Sequence, residues 1–141
     1  MKKLKFKSFC LLVLVSVLCL SFFSGCSSQK LSSDFDEDEV KKATEKVISL
    51  INSNDTEGIK ELCTVQMKEA LTDDVFQKIY EAIDEGGTFE KTGDMSIGGA
   101  TNKSSEEEFA VVVAKAKYEI KTFTFTITFT KQMKLAGLYY K

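Results

Sequence analysis

One short segment near the C-terminal end constrains the fold more than any other. Thr122-Phe123-Thr124-Phe125-Thr126-Ile127-Thr128-Phe129-Thr130 alternates polar and apolar residues without a break. Successive side chains of a strand point to opposite faces, so Phe123, Phe125, Ile127 and Phe129 share one face and the Thr residues the other. A helix would scatter the same Phe residues around its axis. The segment therefore demands a sheet with one face covered by an apolar layer and one face left weakly polar.

The rest of the chain supplies both the sheet and its cover. Residues 108–120 form a Val- and Ala-rich run in which Ala110, Val112, Ala114, Ala116, Tyr118 and Ile120 fall on one face. Its other face begins apolar at Phe109, Val111 and Val113 and turns to Lys115 and Lys117. Residues 133–140 read as a last strand, with a bulge or close approach at Gly137. Residues 88–97 read as a weaker first strand broken near Gly93, followed by a polar loop over 98–105.

Upstream, the apolar period changes to that of helices. Val40, Ala43, Val47, Leu50 and Ile51 recur at helical spacing. Asn54 is placed to cap a short second helix, with Glu57 at the capping-box position and Ile59, Leu62 and Cys63 inward. Val65, Met67 and Leu71 line a connecting turn or a continuation. Thr72 caps a third helix with the stripe Val75, Phe76, Ile79, Tyr80 and Ile83, and Gly86-Gly87 stops it. Helices first and strands after predict an α+β fold, with N-terminal helices packed on a curved antiparallel sheet. A sheet curved around a long helix encloses a cone-shaped space.

Missing residue types narrow the chemistry. The chain of 141 residues contains no His, Arg, Pro or Trp. No His excludes imidazole acid–base catalysis, a Ser-His-Asp or Cys-His pair, and imidazole metal ligation. No Arg excludes the bidentate clamp for phosphate and guanine. A net charge of −2 argues against nucleic acid as a partner.

The N-terminal residues read as an address. Lys2, Lys3, Lys5 and Lys7 precede an almost unbroken apolar run over 9–20, shorter than the ~20 residues of a membrane span. A basic start, an apolar centre and a small-residue exit make a secretory signal peptide. The exit Ser24-Gly25-Cys26 resembles a bacterial lipoprotein box, with Phe23 where that pattern prefers Leu. The resemblance implies a signal peptide over 1–25, diacylglycerol on the Cys26 thiol, palmitate-type acylation, and a polar tether over 26–38 leading to a domain over 39–141. The expected location is the extracytoplasmic face of a bacterial, Gram-positive cell membrane, held through lipidated Cys26. Cleavage would remove four Lys and no acids, leaving 15 Lys against 21 acids, a net charge of −6. Such a body has no basic patch for anionic lipid, so the lipid chains must hold it.

Cysteines and acids follow from the same reading. Cys10 and Cys19 leave with the signal and Cys26 takes the lipid, so Cys63 has no disulfide partner and reads as a buried small hydrophobe. Asp34, Asp36, Asp38 and Glu45 fall at the first, third, fifth and twelfth positions of an EF-hand loop. Glu39 stands where the loop needs Gly, and the run reads instead as a solvated helix entry. No metal and no cofactor is expected.

Four stretches carry a family resemblance: Leu50-Ile51-Asn52-Ser53-Asn54-Asp55, Gly86-Gly87-Thr88-Phe89, Lys115-Ala116-Lys117-Tyr118, and the closing Lys134-Leu135-Ala136-Gly137-Leu138-Tyr139-Tyr140. In these the chain resembles the DUF3887 family. The resemblance implies an NTF2-like cone, a family without an assigned function, and no catalytic residues to carry over. No Gly-x-Ser-x-Gly elbow occurs in the chain.

The expected function is non-enzymatic binding of an apolar small molecule, a peptide or a partner protein. Candidate pocket-lining residues are Phe76, Tyr80, Phe89, Tyr118, Phe125 and Phe129, which alternatively fill the core. The Thr row offers a flat face for a homodimer or another docking partner. An enzyme of hydrolase or isomerase type would need a desolvated carboxylate such as Glu90, Asp94 or Glu119 at the mouth of the cone.

Overall fold

The structure is a computed structural model describing residues 29–141. The expected signal peptide and Cys26 lie outside the described residues. Among the described residues four helices precede four strands: α1 Glu37–Asn52, α2 Thr56–Leu62, α3 Val65–Ala70, α4 Asp73–Asp84, β1 Phe89–Thr101, β2 Glu108–Tyr118, β3 Thr122–Phe129 and β4 Leu135–Tyr140. The strands form one antiparallel sheet in the order β1-β2-β3-β4. The fold is α+β, with the helices packed on one face of the sheet.

Every helix is started by a side chain that accepts from an otherwise unpaired backbone N–H: Asp36 for α1, Asp55 for α2, Thr64 for α3 and Thr72 for α4. Asp55, not Asn54, caps α2. Asn54 is already used one step earlier, where it donates its N–H to the Ile51 carbonyl and adopts φ +52, a left-handed conformation Asn tolerates. Asp36 takes the capping role inside the acidic run, and Asp34 pairs with Lys131 at 2.7 Å. The segment after α2 is a separate helix, α3, with no buried residue and with Val65 71% exposed.

The inner sheet face is assembled by complementary size. On it Ala110, Ala114 and Ala116 of β2 stand opposite Phe129, Phe125 and Phe123 of β3. Small residues on β2 let α1 approach, and Val40, Thr44, Val47, Ile48 and Ile51 fill the space from above. Phe125, Ile127 and Phe129 are fully buried, each contributing roughly 1.5–3 kcal/mol of burial free energy. Buried Thr44 satisfies its hydroxyl by donating to the Val40 carbonyl at 2.9 Å.

Three boundaries differ from the sequence expectation. β1 runs to Thr101 through Gly98 and Gly99, which were expected in a loop. The N-terminal arm explains this: Gly99 donates its N–H to the Gln29 carbonyl at 2.7 Å, and a Cβ on Gly99 would lie 2.5 Å from the Lys30 carbonyl oxygen. Gly is required there by the close crossing of two backbones. Ile120, expected on the inner face, is 73% exposed because the chain turns directly after Tyr118. The N–H groups of Glu119 and Ile120 instead donate to the Thr88 and Gly86 carbonyls. β4 begins at Leu135 rather than 133, and the register shift opposite Thr128 and Phe129 falls at Ala136, beside Gly137.

Candidate functional site

The end of the molecule at the α1 C-terminus and the β2 C-terminus carries a polar pair set in an aromatic wall. Tyr118 is the last residue of β2 and follows Ala116 on the inner face. Asn52 is the last residue of α1, one turn after Ile48 on the sheet-facing stripe. The Tyr118 hydroxyl donates to Asn52 Oδ1. Burial pushes that hydroxyl up to about 12, so Tyr118 remains a neutral donor at ordinary pH. Phe89 and Phe123 meet the Tyr118 ring edge-on at 5.4 and 5.2 Å between centroids.

The second atom of the Asn52 amide has no such partner. Asn52 Nδ2 is buried and, among the described residues, finds no acceptor for its N–H groups. Asn52 is one of the residues lining a groove of about 340 Å³, with Glu45, Ile48, Ser49, Phe89 and Thr92. Ile48 and Phe89 give an apolar floor; Ser49 and Thr92 bring hydroxyls, and Glu45 an exposed carboxylate at the rim. An apolar lining with a few polar groups is the usual composition of a small-molecule site.

A second groove, about 290 Å³, runs along α4 and is lined by Thr56, Asp73, Phe76, Gln77, Tyr80, Glu81 and Asp84. Phe76 and Tyr80 stack at 5.9 Å, and the Tyr80 hydroxyl is 2.9 Å from Thr56 Oγ1. Lys60 lies 5.7 Å from the centre of the Phe76 ring and pairs with Asp73 at 3.1 Å. Its polar groups are thus largely matched to one another.

The aromatic residues singled out from sequence therefore occupy three places. Phe89 and Tyr118 meet beside the α1–β1 groove, Phe76 and Tyr80 line the α4 groove, and Phe125 and Phe129 are buried under the helices. The carboxylates Glu90, Asp94 and Glu119 are all exposed. Glu90 pairs with Lys117 at 2.8 Å, and Glu119 accepts from the Thr88 N–H at 3.5 Å. Asn52, Ser49 and Thr92 were not foreseen. Asn52 did leave a signal, a polar residue on the apolar stripe of an amphipathic helix.

The match to known sequences falls on this same frame. A family described as a protein of unknown function (DUF3887) matches residues 44–138, from the middle of α1 to the centre of β4. The chain belongs to the DUF3887 family. The DUF3887 match includes Asn52, Phe89, Thr92 and Tyr118, so the groove is built from family-matched elements, with Glu45 at its rim. A solved structure described as "NMR structure of protein from Ruminococcus gnavus ATCC 29149" is similar in fold to this DUF3887 chain. Its TM-score is 0.71 at 20% identity, with 79% of this chain and 96% of that chain covered. Comparison with curated proteins gives no match.

Proposed function

We propose that this DUF3887 protein is a lipid-anchored protein on the extracytoplasmic face of a Gram-positive membrane, whose NTF2-like domain binds a small molecule without transforming it. The ligand is largely apolar and carries a carbonyl. The observation that carries this reading is the orphan Nδ2 of Asn52, a residue that lines the groove between α1 and β1. A buried N–H left without an acceptor costs roughly 1–3 kcal/mol, which a ligand carbonyl in the groove would recover. Ile48 and Phe89 would take the apolar part, with Ser49 and Thr92 as further polar contacts. The absence of His from the chain, and of any nucleophile–base pair in the groove, supports binding rather than catalysis.

Titration of labelled protein with short primary amides such as hexanamide, followed through the side-chain amide resonances, tests the site. The Asn52 resonances shift first, and Asn52→Leu abolishes the response. Shifts that spare Asn52, or a response unchanged in Asn52→Leu, count against the groove. For the anchor, Cys26→Ala is expected to move the protein from the membrane to the soluble fraction.

A second reading is docking of a partner or a second copy on the outer sheet face. It is favoured by Val113 and Tyr139, 40% and 53% exposed beside the Thr row of β3. Val113→Lys would then lower self-association measured by sedimentation.

A further inference from the structure

We propose that the domain does not hang on a flexible leash but stands close to the bilayer in a fixed orientation, with the 102–107 loop end toward the lipid and the α1–β1 groove facing away. This rests on lipid attachment at Cys26, proposed above, and adds to it the surface the domain presents to the membrane. The sequence expected a polar tether through residue 38. The structure instead fastens the chain from Gln29 onward. Gln29 pairs with Gly99 at the free edge of β1, and Thr101 Oγ1 donates to Gln29 Oε1 at 2.9 Å. Ser32 donates to Glu108 at 3.2 Å, and Phe35 is buried in the core. Lys131 closes the arm by contacting both Asp34 and Glu108 at 2.7 Å.

Covalent geometry then limits the distance to the lipid. Only Ser27 and Ser28 lie between Cys26 and Gln29, and a fully extended chain covers at most about 10–11 Å over those three Cα–Cα steps. The domain therefore cannot swing freely.

Register fixes which end lies nearest. Gly99 stands opposite Ala110, and Ala110 opposite Phe129, so Gln29, the 102–107 loop and the turn after β3 share one end of the sheet. Phe89 stands opposite Tyr118 at the other end, where Tyr118 meets Asn52. β2 has 11 residues, which at ~3.3 Å per residue sets the two ends about 33 Å apart. The groove thus opens toward the exterior, reachable by a molecule arriving from outside. The proximal loop mixes Lys103 with Glu106 and Glu107, so the covalent link and not charge determines the orientation.

Energy transfer in vesicles tests the orientation. The full chain is processed in a bacterial host, extracted with its own lipid, and reconstituted in phosphatidylcholine vesicles bearing a headgroup acceptor dye. A donor is placed on Lys103→Cys or on Lys121→Cys; buried Cys63 does not compete for the label. Transfer from position 103 is expected to be at least about twofold higher than from 121, given the length of the strand between them. Inserting twelve Gly/Ser residues between Ser28 and Gln29 brings the ratio close to one. Gly99→Val, which drives a side chain into the Lys30 carbonyl, moves it the same way. Equal transfer with the native spacing, or higher transfer from 121, overturns the orientation. Protein that fails to float with vesicles, or whose intact mass lacks diacylglycerol, overturns the anchoring itself and the orientation with it.

Discussion

Tyr118 keeps its proton over a pH window in which an unfolded tyrosine loses it. Burial raises its folded value to about 12, against about 10 when exposed. The folded chain therefore binds more protons in that window. The associated stability is complete below pH 10 and is lost as pH climbs through about 12. Burial also raises Tyr140, with the same sign. Hydrogen bonds to acidic neighbours also raise Lys41, Lys60 and Lys131, with the same sign. A Tyr118→Phe comparison isolates the phenol: its denaturation midpoint is expected to fall less steeply than that of the native chain between pH 10 and 12. At neutral pH the same substitution costs about 1–2 kcal/mol, since it leaves the whole Asn52 amide unpartnered. Pairing it with Asn52→Leu should cost less than the two single changes together, because no buried polar group is then left alone. Cys63 gives a second check. Its thiol donates to the Ile59 carbonyl at 3.2 Å, and burial pushes its ionisation up. A maleimide should add to it only once urea has unfolded the chain, as read by intact mass; labelling of the native domain at an ordinary thiol rate contradicts that placement. Cys63 was legible in the sequence from its place beside Leu62. Asn52 was legible only as a polar residue on the apolar stripe of α1; its inward aim depends on where α1 ends against Tyr118, a residue far away in the chain.

At the level of elements, β3 is the most demanding. Phe125→Ala removes a fully buried ring between Ala114 and Tyr140 and should cost about 3–5 kcal/mol in urea unfolding. Thr126→Val on the opposite face should change stability by less than about 0.5 kcal/mol. Similar losses at both positions would mean that the sheet is covered on both faces. The contrast was readable from alternation alone, because a two-residue period leaves one register for a half-buried strand. Helix α4 was equally legible from Thr72 and its five-residue apolar stripe. β1 was not. Its glycines look like a loop until the N-terminal arm lies across them, and that contact joins residues 70 positions apart, Gln29 and Gly99. Ile120 failed for a related reason: extrapolating the period of β2 cannot reveal where Glu119 and Ile120 turn to pair with Thr88 and Gly86.

For the whole molecule, the decisive contacts are those that fasten one end of the chain to one end of the sheet. No helix among the described residues is long and apolar enough to cross a membrane. In the proposed anchoring, acyl chains hold the protein, each buried CH₂ contributing about 0.8 kcal/mol. Under the proposed anchoring, arm, sheet and groove would form one series: lipid at Cys26, fastening at Gln29, the length of β2, and an outward groove beside Asn52. The first link is proposed from Ser24-Gly25-Cys26, and the last is visible only in three dimensions. All the later links lose their setting without the first. Mass spectrometry of the protein extracted from membranes tests it most directly. The account predicts an N-terminal peptide that starts at Cys26 and carries a diacylglycerol mass on that residue. A peptide starting elsewhere, or a Cys26 with an unmodified thiol, would contradict it.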